Sequence, residues 1–170
     1  MMSITRLEKA KRLLGCTGLA FLPSLGGAVA RPGPWYRALK KPPLQPPSWV
    51  FAPVWMLLYL TMALAHYAFM SEAGEGRRRK GTLLQTAQLG LNAAWVPLFF
   101  GLERPGLAMA DLAVLIAAAR ATQREFGKAS PLAGKLLIPY LVWLCFAAYL
   151  NGGVCWLNRD RNRVKIASLR

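Results

Sequence analysis

Trp49-Val50-Phe51-Ala52-Pro53-Val54-Trp55-Met56-Leu57-Leu58-Tyr59-Leu60-Thr61-Met62-Ala63-Leu64-Ala65-His66-Tyr67-Ala68-Phe69-Met70-Ser71 is a run of 23 residues with no formal charge at neutral pH. A helix rises 1.5 Å per residue, so about 20 residues cross the roughly 30 Å of bilayer hydrocarbon. Similar uncharged runs flank this one: Leu13–Ala30 has 18 residues, Gly81–Leu102 has 22 and Leu136–Asn158 has 23. Pro105–Ala119 is apolar apart from Asp111, and it reaches spanning length if Arg120 snorkels to the headgroups. In lipid a backbone must satisfy its own hydrogen bonds, which leaves helices or closed barrels. Continuous apolar runs, rather than ten-residue alternations, select helices. The expected fold is an all-α membrane protein, a single five-transmembrane-helix bundle with a Pro-rich loop between helices 1 and 2. The expected spans are 13–30, 49–70, 82–102, 105–121 and 136–157, with basic tails at 1–12 and 160–170.

Composition agrees. The chain has 170 residues, 55% hydrophobic and 17% charged, yet 22 Lys+Arg stand against 7 Asp+Glu, a formal charge of +15. So apolar a chain is not disordered, and 3 Cys do not make a disulfide-stapled scaffold. The five spans place 12 basic residues on one side and 10 on the other. That split does not orient the bundle by the positive-inside rule; it points to anionic headgroups at both faces. Arg77-Arg78-Arg79-Lys80 lies in a short connection between spans, so no nucleic-acid partner is expected. The first run has a rival reading as a signal peptide cleaved after Ala28-Val29-Ala30. Against cleavage, the run is long for such a segment and contains Pro23, Gly26 and Gly27.

Polar and aromatic residues at helical spacing are the candidate chemistry. Gln85, Gln88, Asn92, Trp95 and Phe99 recur at intervals of three and four, which puts three amides and two rings on one inward stripe. Trp55 and Tyr59 are one turn apart, and Tyr140, Trp143, Ala147 and Leu150 or Asn151 form another stripe. Such a lining suits a large, flat, mostly apolar ligand. The same amides also serve as interhelical hydrogen bonds at roughly 0.6 kcal/mol each, and pattern alone does not choose between the two roles. Trp49, Trp156 and Trp35 lie near span ends, where an interfacial belt is the ordinary reading. Pro53, Pro97 and Pro139 each interrupt a span. Trp35-Tyr36 and the segment Lys40-Lys41-Pro42-Pro43-Leu44-Gln45-Pro46-Pro47 make a stiff basic loop, either a lid or a rigid connector.

One His and no acidic cluster exclude a dinuclear metal site, and no catalytic or metal-binding residue is assigned. Cys16, Cys145 and Cys155 read as small packing residues. Asp111 suits the start of its helix, and Ala113, Ala117 and Ala121 suit close packing or an oligomer seam.

Phe21-Leu22-Pro23-Ser24-Leu25-Gly26-Gly27, Trp35-Tyr36-x-x-Leu39-x-Lys41-Pro42, Pro46-Pro47-x-Trp49 and Pro53-x-Trp55 resemble the translocator protein family. This family is also called the tryptophan-rich sensory protein (TspO/MBR) or peripheral-type benzodiazepine receptor family. So do Gln88-Leu89-x-Leu91-Asn92-x-x-Trp95-x-Pro97-x-Phe99-Phe100-Gly101, Arg104-Pro105-Gly106-Leu107-Ala108 and Pro139-Tyr140-Leu141-x-Trp143-x-x-Phe146-Ala147-x-x-Leu150-Asn151. The resemblance covers about Leu19 to Arg159, on all five spans and in order. It implies a five-helix bundle, usually a homodimer, with a pocket closed by the first loop. The implied ligands are porphyrin or haem intermediates, cholesterol and other lipids, and isoquinoline or benzodiazepine drugs. The implied pocket is Trp35, Tyr36, Ala52, Trp55, Asn92, Trp95, Trp143, Ala147 and Leu150, with no required cofactor. It also argues against cleavage after Ala30.

Two departures stand out. Many members have Trp where this chain has Leu44. The sterol-recognition pattern near the end of the fifth span lacks its Tyr, because Tyr149 is too far from Arg159; this weakens the sterol expectation. The Trp156-Leu157-Asn158-Arg159 ending is similar to bacterial members, so a bacterial cell membrane is favoured, or a mitochondrial outer membrane in a eukaryote. The expected function is ligand binding for transport or stress sensing, without catalysis. The alternatives are a light- and oxygen-dependent porphyrin-degrading enzyme using pocket Trp residues, or a ligand-free accessory subunit.

Overall fold

The computed structural model describes residues 6–25 and 32–159. Gly26-Gly27, the Ala28–Ala30 pattern and the 160–170 tail lie outside these residues. Among the described residues seven α-helices follow one another: α1 (Arg6–Phe21), α2 (Pro34–Ala38), α3 (Ser48–Glu72), α4 (Glu75–Val96), α5 (Pro105–Ala129), α6 (Pro131–Leu136) and α7 (Ile138–Leu157). A 3₁₀ turn (Leu22–Leu25) extends α1, and a π turn (Pro97–Gly101) ends α4. No strand occurs among the described residues.

The 25 residues of α3 measure about 37 Å along the axis, enough to cross a bilayer. Among the described residues three helical stretches are both long and apolar enough to do so: Ser48–Glu72, Pro105–Ala129 and the α6–α7 pair, Pro131–Leu157. Charged residues open α1 and α4, so only their later turns are apolar. Helices outrun their apolar spans for the same reason. α5 continues past Arg120 to Ala129, because helix geometry does not depend on hydropathy.

Proline sets several boundaries. It opens α2, α5 and α6, where its missing N–H is one the helix would leave unpaired anyway. Pro139 follows the break at Leu137 and leaves Lys135 without the N–H that would continue a single helix through the α6–α7 junction. Pro53, by contrast, sits inside α3 without ending it. At Pro97 the winding loosens, and the Leu102 N–H donates to the Pro97 carbonyl at 2.8 Å, an i→i+5 bond.

The core runs through α3, α4, α5 and α7 and includes Met62, Phe69, Leu112, Leu115, Phe126 and Leu144. α5 is the hub, packing on α4, α6 and α7. Phe69 stacks on Phe126 with centroids 4.3 Å apart and planes at 9°. α5 and α6 approach so closely that a Cβ on Gly134 would lie 2.8 Å from the Gly127 Cα. At this same end Glu125 of α5, almost fully buried, takes Lys80 at 3.1 Å, Lys128 at 3.7 Å and Arg77 at 3.9 Å.

The opposite end gathers residues 32–47 of the α1–α3 connection, the π turn and the C-terminal turns of α7. Leu39, Phe99, Ala108 and Val154 bury one another there. Trp49 and Trp156 are exposed at span ends, 74% and 70%, as belt residues are. The Ala113, Ala117 and Ala121 stripe faces outward.

Candidate functional site: an aromatic cavity beneath the Pro-rich connection

Two adjoining cavities occupy the bundle at the end covered by the connection. The larger, about 650 Å³, is lined by Ala52, Trp55, Tyr59, Asn92, Trp95, Trp143, Ala147 and Leu150, together with Phe51 and Phe146. The smaller, about 420 Å³, lies against the connection and is lined by Tyr36, Lys41, Gln45, Phe99, Asn151 and Val154, among others. Trp55, Trp95, Ala147 and Leu150 line both. The larger falls within the 300–1,000 Å³ usual for small-molecule sites.

Helical spacing puts these side chains together. Phe51, Trp55 and Tyr59 are successive turns of α3, and Trp55 meets Tyr59 at 5.4 Å and Tyr140 at 6.4 Å between centroids. On α7, Trp143 stands edge-on to Phe51 at 5.9 Å and contacts Phe146 at 5.4 Å. Trp95 stacks on Phe99 at 4.8 Å. The π turn supports this contact, since it alters the phase of the helix just beyond Trp95.

The amide stripe of α4 is buried and hydrogen-bonded. Tyr59 donates its phenol to the Asn92 Oδ1 at 3.3 Å, and the Asn92 Nδ2 donates to the Tyr140 hydroxyl at 3.2 Å. Tyr140 donates to the Gln88 Oε1 at 2.8 Å, and the Gln88 Nε2 donates to the Gln85 Oε1 at 3.2 Å. These side chains therefore tie α3, α4 and α7 together. The roles of pocket and interhelical bond are not exclusive, because Asn92 lines the larger cavity and keeps one N–H and one lone pair beyond these bonds.

Of the residues expected at the site, Ala52, Trp55, Asn92, Trp95, Trp143, Ala147 and Leu150 come together around the larger cavity, and Tyr36 lines the smaller. Trp35 lines neither. Its ring packs edge-on against Phe99 at 5.8 Å, because α2 turns it toward the π turn. Burial pushes the Tyr36 phenol above its ordinary pKa. The Lys41 ammonium sits 4.7 Å over the Tyr36 ring and donates to the Tyr36 carbonyl at 3.0 Å. Sequence reasoning missed Phe51, although it precedes Trp55 by four residues. It also missed Leu112 and Leu115, which look like any other core leucines. Among the described residues no cluster of His, Cys, Asp or Glu is built to hold a metal.

A helical membrane bundle enclosing an aromatic cavity is the class these features define. The chain belongs to the TspO/MBR family, whose pattern matches residues 13–157. It is 44% identical over 135 residues to the translocator protein homolog of Schizosaccharomyces pombe, covering 78% of this chain and 82% of that one. It is 41% identical over 157 residues to the translocator protein of Sus scrofa, covering 87% and 92%. With the tryptophan-rich sensory protein of Cereibacter sphaeroides it shares 37% over 139 residues, covering 82% and 86%.

Proposed function

We propose that this membrane protein binds a large, flat, mostly apolar ligand in the larger cavity, with a porphyrin or haem intermediate as the leading class, for transport or stress sensing. The observation that carries the reading is the convergence of Trp55, Trp95, Trp143 and Phe51 on one space that also holds Asn92. Rings offer stacking area in a low-dielectric site, and the amide offers a direction-setting hydrogen bond. Arg37 and Lys40 are exposed on the connection, where they suit the propionates of a tetrapyrrole. Sterols, other lipids and isoquinoline or benzodiazepine compounds are further candidates of suitable shape. A homodimer would use the outward Ala113, Ala117 and Ala121 stripe. The identities to fungal and mammalian relatives exceed that to the bacterial one named, so they do not reinforce the bacterial look of the C-terminal ending.

The test is quenching of tryptophan fluorescence by protoporphyrin in detergent. Saturable quenching is expected, weakened severalfold in Trp55→Phe and Asn92→Ala, since aromatic pairing is worth about 0.5–1.5 kcal/mol. Unchanged affinity in both variants overturns this pocket.

A further inference from the structure

Residues 39–43 are fastened to the end of α7 by contacts the cavity walls do not supply. The Asn158 Oδ1 accepts the Lys40 N–H at 3.0 Å, while its Nδ2 donates to the Lys40 carbonyl at 2.8 Å. Both backbone groups of one residue are thus paired by one side chain, which also donates to the Val154 carbonyl at 2.9 Å. Because Lys40 offers both a donor and an acceptor, the amide fits one way round. Next to it, Pro42 rests on Gly153 so tightly that a Cβ there would sit 2.6 Å from the Pro42 Cβ. Tyr149 donates its phenol to the Pro43 carbonyl at 2.9 Å. Leu39 is buried beneath, against Phe99 and Val154. One residue beyond the fastened stretch, Leu44 is 80% exposed and has a φ of 63°.

We propose that Asn158, Gly153 and Tyr149 form a latch that holds the connection closed over the cavities and sets how fast a ligand enters and leaves. None of the three lines either cavity, so they act through the connection and are positioning residues. Pro42, Pro43, Pro46 and Pro47 stiffen the segment, so it releases as a piece instead of fraying residue by residue. The gating role rests on the binding reading above; the latch itself does not.

The experiment separates the two. Hydrogen exchange of the Lys40 amide is followed without ligand in the wild-type protein and in Asn158→Ala, Gly153→Ala and Tyr149→Phe. Losing paired hydrogen bonds is expected to speed exchange on the order of tenfold in Asn158→Ala. Gly153→Ala should act similarly, through the clash with Pro42, and Tyr149→Phe more weakly. Stopped-flow quenching by protoporphyrin should then show association and dissociation rising together, with affinity changed far less than either rate. A variant of a ligand contact such as Trp55→Phe should instead change dissociation alone. Asn158→Asp keeps the acceptor for the Lys40 N–H but turns an oxygen toward the Lys40 and Val154 carbonyls, so its rates should be at least those of Asn158→Ala. Unchanged exchange in both Asn158→Ala and Gly153→Ala overturns the latch, whatever the ligand does. Faster exchange with unchanged ligand rates overturns its role as the gate. If protoporphyrin fails to quench even the wild-type protein, the binding reading falls, and the gating role falls with it. Tyr149→Phe removes one hydroxyl from an exposed residue, so it tests the latch even if the other variants fold poorly.

Discussion

Tyr140 gives its phenol proton to the Gln88 carbonyl oxygen at 2.8 Å, deep between α4 and α7, and receives the Asn92 amide on the same oxygen at 3.2 Å. Removing that oxygen strands two groups at once. Tyr140→Phe is expected to cost about 1–3 kcal/mol, the price of unmet buried polar groups. Chemical denaturation in detergent followed by circular dichroism measures it. A loss nearer 0.6 kcal/mol, the average for single bonds inside a membrane, would mean the chain of amides acts pairwise and not as a unit.

Gly134 and Gly127 predict an asymmetric pair of variants. A methyl group on Gly134 meets backbone at 2.8 Å and cannot be accommodated by a side-chain rotation. Gly134→Ala is therefore expected to destabilise the α5–α6 packing by about 2 kcal/mol, as overpacked cores do. On Gly127 the nearest atom would be at 3.7 Å, an ordinary contact, so Gly127→Ala should be close to neutral. Thermal midpoints of the two variants in the same detergent decide the matter; equal effects would contradict the contact.

Glu125 serves three cations, so the cost of losing it should exceed the cost of losing any one of them. Lys80→Ala is expected to cost about 0.5 kcal/mol, as partly exposed pairs do. Glu125→Gln leaves Arg77, Lys80 and Lys128 facing one another and should cost about 2 kcal/mol, between the exposed and buried limits. Added salt should recover part of this loss by screening the cations. Urea or thermal unfolding at two ionic strengths checks both the order and the salt effect.

Ala147 borders both cavities. Ala147→Trp fills the shared space, and protoporphyrin quenching should weaken by at least roughly tenfold, a 1.4 kcal/mol effect. Helical content should hold, because the new ring enters existing space. Retained affinity would place the ligand elsewhere.

Leu44 holds a left-handed backbone, which costs a branched L-residue roughly 1–2 kcal/mol and costs glycine almost nothing. Its side chain is mostly in solvent, so little packing is lost on truncation. Leu44→Gly should be neutral to stabilising, and Leu44→Val destabilising by about 1 kcal/mol, since a β-branched residue tolerates that φ least. Thermal midpoints give the comparison.

The bundle was legible because charge is expensive in hydrocarbon: the uncharged run from Trp49 to Ser71 is long only if it must be. The amide and ring stripe of α4 was legible too, because Gln88, Asn92 and Trp95 can share a face only at helical spacing. Trp35 misled, since its place next to Tyr36 in a short loop says nothing of the direction α2 gives each ring. The hold of Asn158 on Lys40 was beyond reach. It joins residues 118 positions apart through backbone groups that every residue possesses. The α6–α7 break was half visible: Pro139 marked it, but Lys135 ended the uncharged run, so the apolar turn before it was not counted with the span.

The π turn between Pro97 and Gly101 makes residue count, and not residue type alone, a constrained quantity in that stretch. A π turn holds one residue more than an α turn, so excision of a single codon would rewind the segment to ordinary helical pitch and abolish the bond from the Leu102 N–H to the Pro97 carbonyl. The rings of Phe99 and Phe100 would lose their present places against Trp95 and Tyr36. Between Trp95 and Pro105 this protein should be as sensitive to altered length as to altered spelling at Phe99.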